Sequence, residues 1–380
     1  MRVMQDLWII LLIVLFGVFS LELGISTAIL EIIAGVVGGN ILDVTSSPWI
    51  DFMANYGILG LMFLAGLEVD KEELKKYAKR SITFASCAYF IPLISLFVLS
   101  MLIFNLDLRK SAIVAIALST TSLALLYPVL KERGLLDLQV GHVILSSAML
   151  IDVWSMLSLT VIFAMPDWIT LLFLGILVAF MWYVPKLGKW LFSRYRENLS
   201  EIELKFLLFI LLALLFFSEH VMVSEAVLAF VMGFLFSELL GEHEVVVDKL
   251  KGMVFAFFSP IFFFKAGSFM KISNFSSASI LLTLILFPAA FLSKYISSKA
   301  AFNRLCKASR TLSEFVGASF NFRLTFGIVS ALFGLKYGII STETYTAIIS
   351  VIILSAIFST IILKAKEQKL KEFCQNDSNP

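Results

Sequence analysis

The stretch GHVILSSAMLIDVWSMLSLTVIF, residues 141–163, carries a single charge, Asp152, close to its middle. About 20 mostly apolar residues in a helix match the thickness of the hydrocarbon layer, so this stretch reads as a transmembrane span. Neither end lies near enough for the short Asp152 side chain to reach water. The same pattern recurs on both sides. Spans are expected at 7–24, 26–42, 49–69, 81–105, 110–130, 138–164, 168–193, 205–219, 222–240, 253–271, 277–298, 311–335 and 341–363. The second is weak and rich in glycine (Gly35, Gly38, Gly39), and the eighth is short. The fold class is therefore an all-α polytopic membrane protein of about thirteen spans.

Composition agrees. The chain has 380 residues, 59% hydrophobic and only 15% charged, with a mean hydropathy of +0.95. A soluble domain needs more polar surface than this. A net charge of +2 gives no footprint for nucleic acid. Cys87, Cys306 and Cys374 share no close spacing, and His142, His220 and His243 lack partners at ligand spacing. No cofactor and no metal site is expected beyond a transported monovalent cation. Nor is there a nucleophile elbow or phosphate loop, so the chain does not read as an enzyme. The first residues, MRVMQDLWIILLIVLFGVFSLELG, have a signal-like beginning but no small-residue cleavage site, and read as the first span.

Lys and Arg concentrate in cytoplasmic loops. The loops after odd-numbered spans hold twenty-two of them, including Lys71–Arg80, Lys131, Arg133, Lys186–Lys205, Lys249, Lys251, Lys299–Arg310 and four in the tail. The opposite side holds five: Arg2, Arg109, Lys110, Lys271 and Lys336. This places the N-terminus outside and the C-terminus in the cytoplasm. The whole chain, 1–380, reads as one membrane domain in the cell membrane, ending in a short cytoplasmic tail over 365–380.

Charges inside spans are costly and mark ion paths by default. Asp152 can lower the cost of its burial by taking up either a proton or a bare cation, but not both, which is the minimum chemistry of an exchanger. In the fifth span, Ser119, Thr120, Thr121 and Ser122 precede Pro128, the expected helix break. Irregular backbone at this depth must line protein or a watery cavity, and its carbonyls and hydroxyls suit a dehydrated Na+. The twelfth span is interrupted by Asn321 and Arg323. Two interrupted helices in corresponding three-span units, spans four to six and eleven to thirteen, point to inverted repeats around a transport site. For Lys294 the sequence leaves a site-facing and a surface-reaching position equally open. Lys265 reads as reaching outward, and Glu225 as a solvated end charge.

Several segments together resemble the monovalent cation/proton antiporter superfamily, in the branch that includes bacterial Na+/H+ antiporters and potassium-efflux systems. They are GILGLMFLAGLEVDKEELKK, ALSTTSLALLYPVLKERGLL, SPIFFFKAGSFM and NFRLTFGIVSALFGLKYGIIS, in order along the chain. The resemblance implies a homodimer and a two-part fold. A dimerisation part spans about 1–70 and 205–271, a core about 81–164 and 277–363, and a linking helix about 168–193. It implies two discontinuous helices crossing beside the ion site, and elevator-like alternating access. It further implies that Asp152 is the ion-binding acid, with Ser119, Thr120 and Thr121 at the unwound crossing and Lys294 and Arg323 as electrostatic support.

Two departures stand out. Where many relatives carry two acids in tandem, this chain has Ile151-Asp152. Lys294 is then expected either to pair with Asp152 or to release its proton readily. Where the family has Arg-Gly-Glu, this chain has Arg323-Leu324-Thr325, and Glu314 is the expected replacement partner of Arg323. The function expected is exchange of Na+ or Li+ for H+, leaning to electroneutral. The alternatives are K+/H+ exchange, or a non-exchanging cation channel or membrane sensor on the same fold.

Overall fold

The computed structural model describes residues 2–24, 26–41, 47–68, 71–133, 135, 138–163, 168–195, 200–221, 225–241, 243–270, 273 and 277–365. Most of the expected tail, together with Asp70 and Cys374, lies outside the described residues.

The helices in chain order are α1 (Arg2–Leu23), α2 (Thr27–Asn40), α3 (Pro48–Leu67), α4 (Lys71–Phe104), α5 (Leu108–Ala117), α6 (Leu123–Glu132), α7 (Gln139–Phe163) and α8 (Trp168–Arg194). They continue with α9 (Ile202–Val221), α10 (Glu225–Gly241), α11 (Glu244–Met253), α12 (Ser259–Ser268), α13 (Ser277–Cys306), α14 (Arg310–Ser319), α15 (Leu324–Lys336) and α16 (Thr342–Ala365). Among the described residues there is no strand. Among the described residues, seven helical stretches are long and apolar enough to cross a bilayer, taking α14 and α15 as one.

Three expected spans are subdivided. The fifth is α5 and α6, the twelfth is α14 and α15, and the tenth is entered through a wider π turn over Val254–Phe258. There the Ser259 amide bonds the Val254 carbonyl, five residues back. Pro260 follows directly and has no amide to offer the carbonyl four residues before it, so the ladder changes register at this point.

The extensive helix contacts fall within two groups. In one, α4 packs on α5, α7 and α13; α13 packs on α14 and α16; and α15 packs on α5, α7 and α16. In the other, α1, α2, α3 and α12 pack together, α3 packs on α9 and α10, and α8 and α11 complete the set.

The second group depends on glycine where backbones touch. A Cβ on Gly35 of α2 would collide with the Phe264 carbonyl, and one on Gly267 of α12 with the Ile32 carbonyl. Gly66 of α3 and Gly233 of α10 meet the Phe230 and Phe63 carbonyls in the same reciprocal way. Small residues permit this approach, and close packing replaces the hydrophobic drive that is missing between helices in lipid. The glycines that weaken α2 as a hydropathy signal are the residues that seat it on α12.

Candidate functional site

Each interrupted helix begins with a side-chain cap and then stops after ten residues. Asp107 Oδ1 accepts the Lys110 amide at 2.8 Å to start α5, and Ser309 Oγ accepts the Leu312 amide at 3.2 Å to start α14. Such caps satisfy amides that have no partner within their own helix. The Lys110 amide also holds the Asp107 carboxyl below its ordinary pKa.

The first break is at Leu118–Ser122, not at Pro128. Pro128 lies inside α6, where its missing amide costs one ladder bond without ending the helix. The break forms because the Thr121 hydroxyl and the Ser122 amide and hydroxyl find partners elsewhere. The Ser122 amide donates to the Phe322 carbonyl at 2.5 Å, and Thr121 Oγ1 donates to the Phe320 carbonyl at 3.2 Å. Ser122 Oγ shares a hydrogen bond with Thr325 Oγ1 at 3.0 Å. The two interrupted segments are thus bonded directly to each other.

Half-helix ends carry partial charges, positive at N-termini and negative at C-termini. The buried charges match them. Lys294, fully buried on α13, donates from Nζ to the Ser119 carbonyl at 2.6 Å, just past the C-terminus of α5. Asp152 on α7 lines a cavity of about 210 Å3 together with Leu123 and Thr325, which lie in the first turns of α6 and α15. Asp152 is 2% exposed, and its Oδ1 has no hydrogen-bond partner.

Lys294 is therefore site-facing, and of the two alternatives expected for it the direct pair with Asp152 does not form. The two attract through space, but the Lys294 ammonium is committed to the Ser119 carbonyl.

Arg323 is fully buried at the second break. Its Nη1 donates to Ser355 Oγ at 2.9 Å, and its Nη2 donates to the Ala290 carbonyl at 2.7 Å and to Asn321 Oδ1 at 2.6 Å. Asn321 in turn donates to the Gly317 carbonyl at 2.9 Å. Glu314 is not the partner of Arg323. It sits near the start of α14 and holds Lys299 at 2.9 Å and Arg310 at 3.1 Å. Three neutral acceptors disperse the guanidinium charge in place of a carboxylate.

The structure brings Asp152, Lys294, Asn321, Arg323 and Ser119–Thr121 to one crossing, but of these only Asp152 is among the described residues lining the cavity. Thr120 Oγ1 turns back to the Ala117 carbonyl at 3.4 Å, Thr121 is used in the crossing, and Ser119 Oγ is buried without a partner. Ser122, the last of the hydroxyl cluster, and Thr325, neither of them among the expected site residues, join the breaks, and Thr325 also lines the cavity. The signal for Thr325 is its position as the third residue of the altered Arg-Leu-Thr.

The Asp152 cavity also touches Leu61, Met62, Leu64, Ala65 and Glu68 of the α3 end and Phe255 of the π turn, so it lies between the two helix groups. Glu68 faces Lys251 at 4.0 Å. A second cavity, about 550 Å3, sits between the same groups at the other end of α3, lined by Asp51, Asn55, Glu225, Phe262, Lys265 and Lys336 among others. There Lys265 pairs with Asp51 at 2.9 Å and Lys336 with Glu225 at 3.9 Å. Glu225 is 6% exposed, so it is a buried, paired charge and not a solvated one. It stands in the N-terminal turn of α10, within reach of Lys336 at the end of α15.

A family model described as "Sodium/hydrogen exchanger, transmembrane" matches residues 9–365. The probable Na(+)/H(+) antiporter 3 of Methanocaldococcus jannaschii is 28% identical over 361 residues, covering 91% of this chain and 90% of that protein. The Na(+)/H(+) antiporter of Enterococcus hirae is 27% identical over 372 residues, covering 92% and 94%. Among solved structures, the sodium proton antiporter MjNhaP1 from Methanocaldococcus jannaschii at pH 8 shares the fold with a TM-score of 0.73. That match has 16% identity and covers 98% of this chain and 99% of that one.

Proposed function

The chain belongs to the sodium/hydrogen exchanger family, and on that premise we propose that it exchanges Na+ for H+ across the cell membrane, with Asp152 binding the two in turn. One observation carries this reading: a buried carboxylate with an unpartnered oxygen opens onto a cavity at the crossing of two interrupted helices. An anionic Asp152 attracts a dehydrated cation, and a protonated one releases it. The N-terminal turns of α6 and α15 favour the anion between those events.

Ser119, Thr120 and Thr121 serve as the frame of the unwound segment, and of their hydroxyls only that of Ser119, buried without a hydrogen-bond partner, is left to serve as a cation ligand. Lys294 and Arg323, supported by Asn321, balance the converging helix ends, and Glu314 fixes the start of α14. Because Lys294 is bonded to a carbonyl and not to Asp152, cation binding breaks no Lys294–Asp152 pair. This favours one Na+ for one H+, an electroneutral cycle.

Alternating access follows if the group containing α4–α7 and α13–α16 moves against the group built on α2, α3, α10 and α12. The two cavities at opposite ends of α3 are then the two access routes, and this structure has Asp152 open to the Glu68 side. By the Lys and Arg distribution that side is cytoplasmic. The moving group carries the inverted repeats, and the glycine-packed group serves as scaffold and dimer surface.

The test is Na+-driven proton movement in everted vesicles or proteoliposomes, followed with a pH dye, with Li+ and K+ as alternatives. Wild type should release protons on addition of Na+, and Asp152→Asn should not. A folded wild type that moves cations without protons would overturn the exchange reading in favour of a channel.

A further inference from the structure

The cavity that reaches Asp152 carries a second acid that the exchange chemistry above does not use. Glu68 lies just past the C-terminus of α3, and Lys251 on α11 faces it at 4.0 Å. Both line the Asp152 cavity. Both also line an adjoining cavity of about 300 Å3 with Glu244 and Asp248. Among the described residues lining these two cavities, three carboxylates besides Asp152 stand against one ammonium. Lys249, the other lysine of α11, does not offset them, because Glu201 holds it at 2.6 Å.

A cluster of acids on a surface is commonly only a solvated face. Here the same cavity leads to Asp152, which is 2% exposed and presents an oxygen without a hydrogen-bond partner. The Glu68–Lys251 pair is solvated, with side chains 36% and 40% exposed, so its contribution to stability is small. Its position matters more than its strength. Charge of one sign on a low-dielectric cleft focuses the field and raises the local concentration of counter-ions.

Resting on the reading of Asp152 as the transport site, we propose that Glu68 is a cation-capturing residue at the mouth of its cavity, with Lys251 setting how strongly it draws cations in. Glu68 and Lys251 sit on the helix group that does not carry Asp152. The capture charge is therefore fixed at one access route and does not travel with the bound ion. It acts on the apparent affinity from one side only.

Initial rates of proton movement against Na+ concentration, measured at low ionic strength in everted and right-side-out vesicles, test this. Glu68→Gln should raise KM for Na+ roughly three- to tenfold on one face only, with kcat unchanged. Glu68→Asp should keep most of the wild-type KM, which separates charge from folding. Lys251→Gln should lower KM on the same face, and added choline chloride should shrink both shifts. An unchanged KM in both charge variants, or a fall in kcat without a KM shift, would overturn the assignment while leaving exchange at Asp152 intact. A wild type that moves no protons would instead overturn the exchange reading, and this one with it.

Discussion

The two cavities at the ends of α3 hold similar charges in opposite arrangements. At one end Asp51 is held by Lys265 at 2.9 Å and Glu225 by Lys336 at 3.9 Å. At the other, Asp152 keeps an oxygen free while the lysine that could neutralise it is bonded to a carbonyl. A paired carboxylate must give up its lysine before it can take a cation. An unpaired one, buried beside two helix N-termini, is already prepared to. The number of acids in a membrane protein thus says less about ion binding than how many of them lack a partner.

The sharpest way to break the comparison is to neutralise one acid from each end. Asp152→Asn should reduce Na+-driven proton movement to background. Asp51→Asn and Glu225→Gln each leave behind a lysine with access to water, so both should stay within about fivefold of wild type, or about 1 kcal/mol. Equal losses at all three positions would erase the distinction.

The lysines should differ in the same direction. Lys294→Ala leaves the buried Ser119 carbonyl without its donor, and the cost should be about 1–3 kcal/mol of stability together with slowed exchange. Lys265→Ala removes a partly exposed partner and should shift the melting temperature far less. Parallel thermal-unfolding curves of the two variants in detergent read this directly.

A smaller effect is expected within the crossing. Thr121→Val removes one hydrogen bond to the Phe320 carbonyl, and about 1 kcal/mol of stability should go with it. The helix cap outside the crossing gives the smallest signal. Asp107→Ala should cost about 1 kcal/mol near neutral pH. Because the Asp107 pKa is held down in the folded chain, the cap contributes above the ordinary carboxylate range and is lost as pH falls through the lowered value. The difference between wild type and Asp107→Ala should therefore close in acid.

Much of this was within reach of the sequence, for identifiable reasons. Long apolar runs mark the helices, and a lone charge in the middle of one, as at Asp152, marks a candidate ion site. The hydroxyl cluster at 119–122 marks an interruption because such residues compete with the ladder. Pro128 was the wrong place for it. A proline can be absorbed inside a helix, whereas the true break depends on bonds to Phe320 and Phe322, some 200 residues away.

Long-range partners explain the other misses. Glu314 is the nearest acid in sequence to Arg323, yet α14 carries it to Lys299 and Arg310. Glu225 begins a helix, which suggests solvent, but it is buried and faces Lys336 at the end of α15. The reciprocal glycine contacts of α2 with α12 and of α3 with α10 leave no trace in hydropathy, which scores glycine only as weak.

The claim on which the rest depends is that one carboxylate exchanges one proton for one cation. Calorimetric titration of the purified protein with Na+, in buffers of different ionisation enthalpy, counts the protons released on binding. One proton per bound Na+ in wild type, with both binding and release lost in Asp152→Asn, is the expected result. Proton release that persists in Asp152→Asn would contradict the account and place the exchanging group elsewhere.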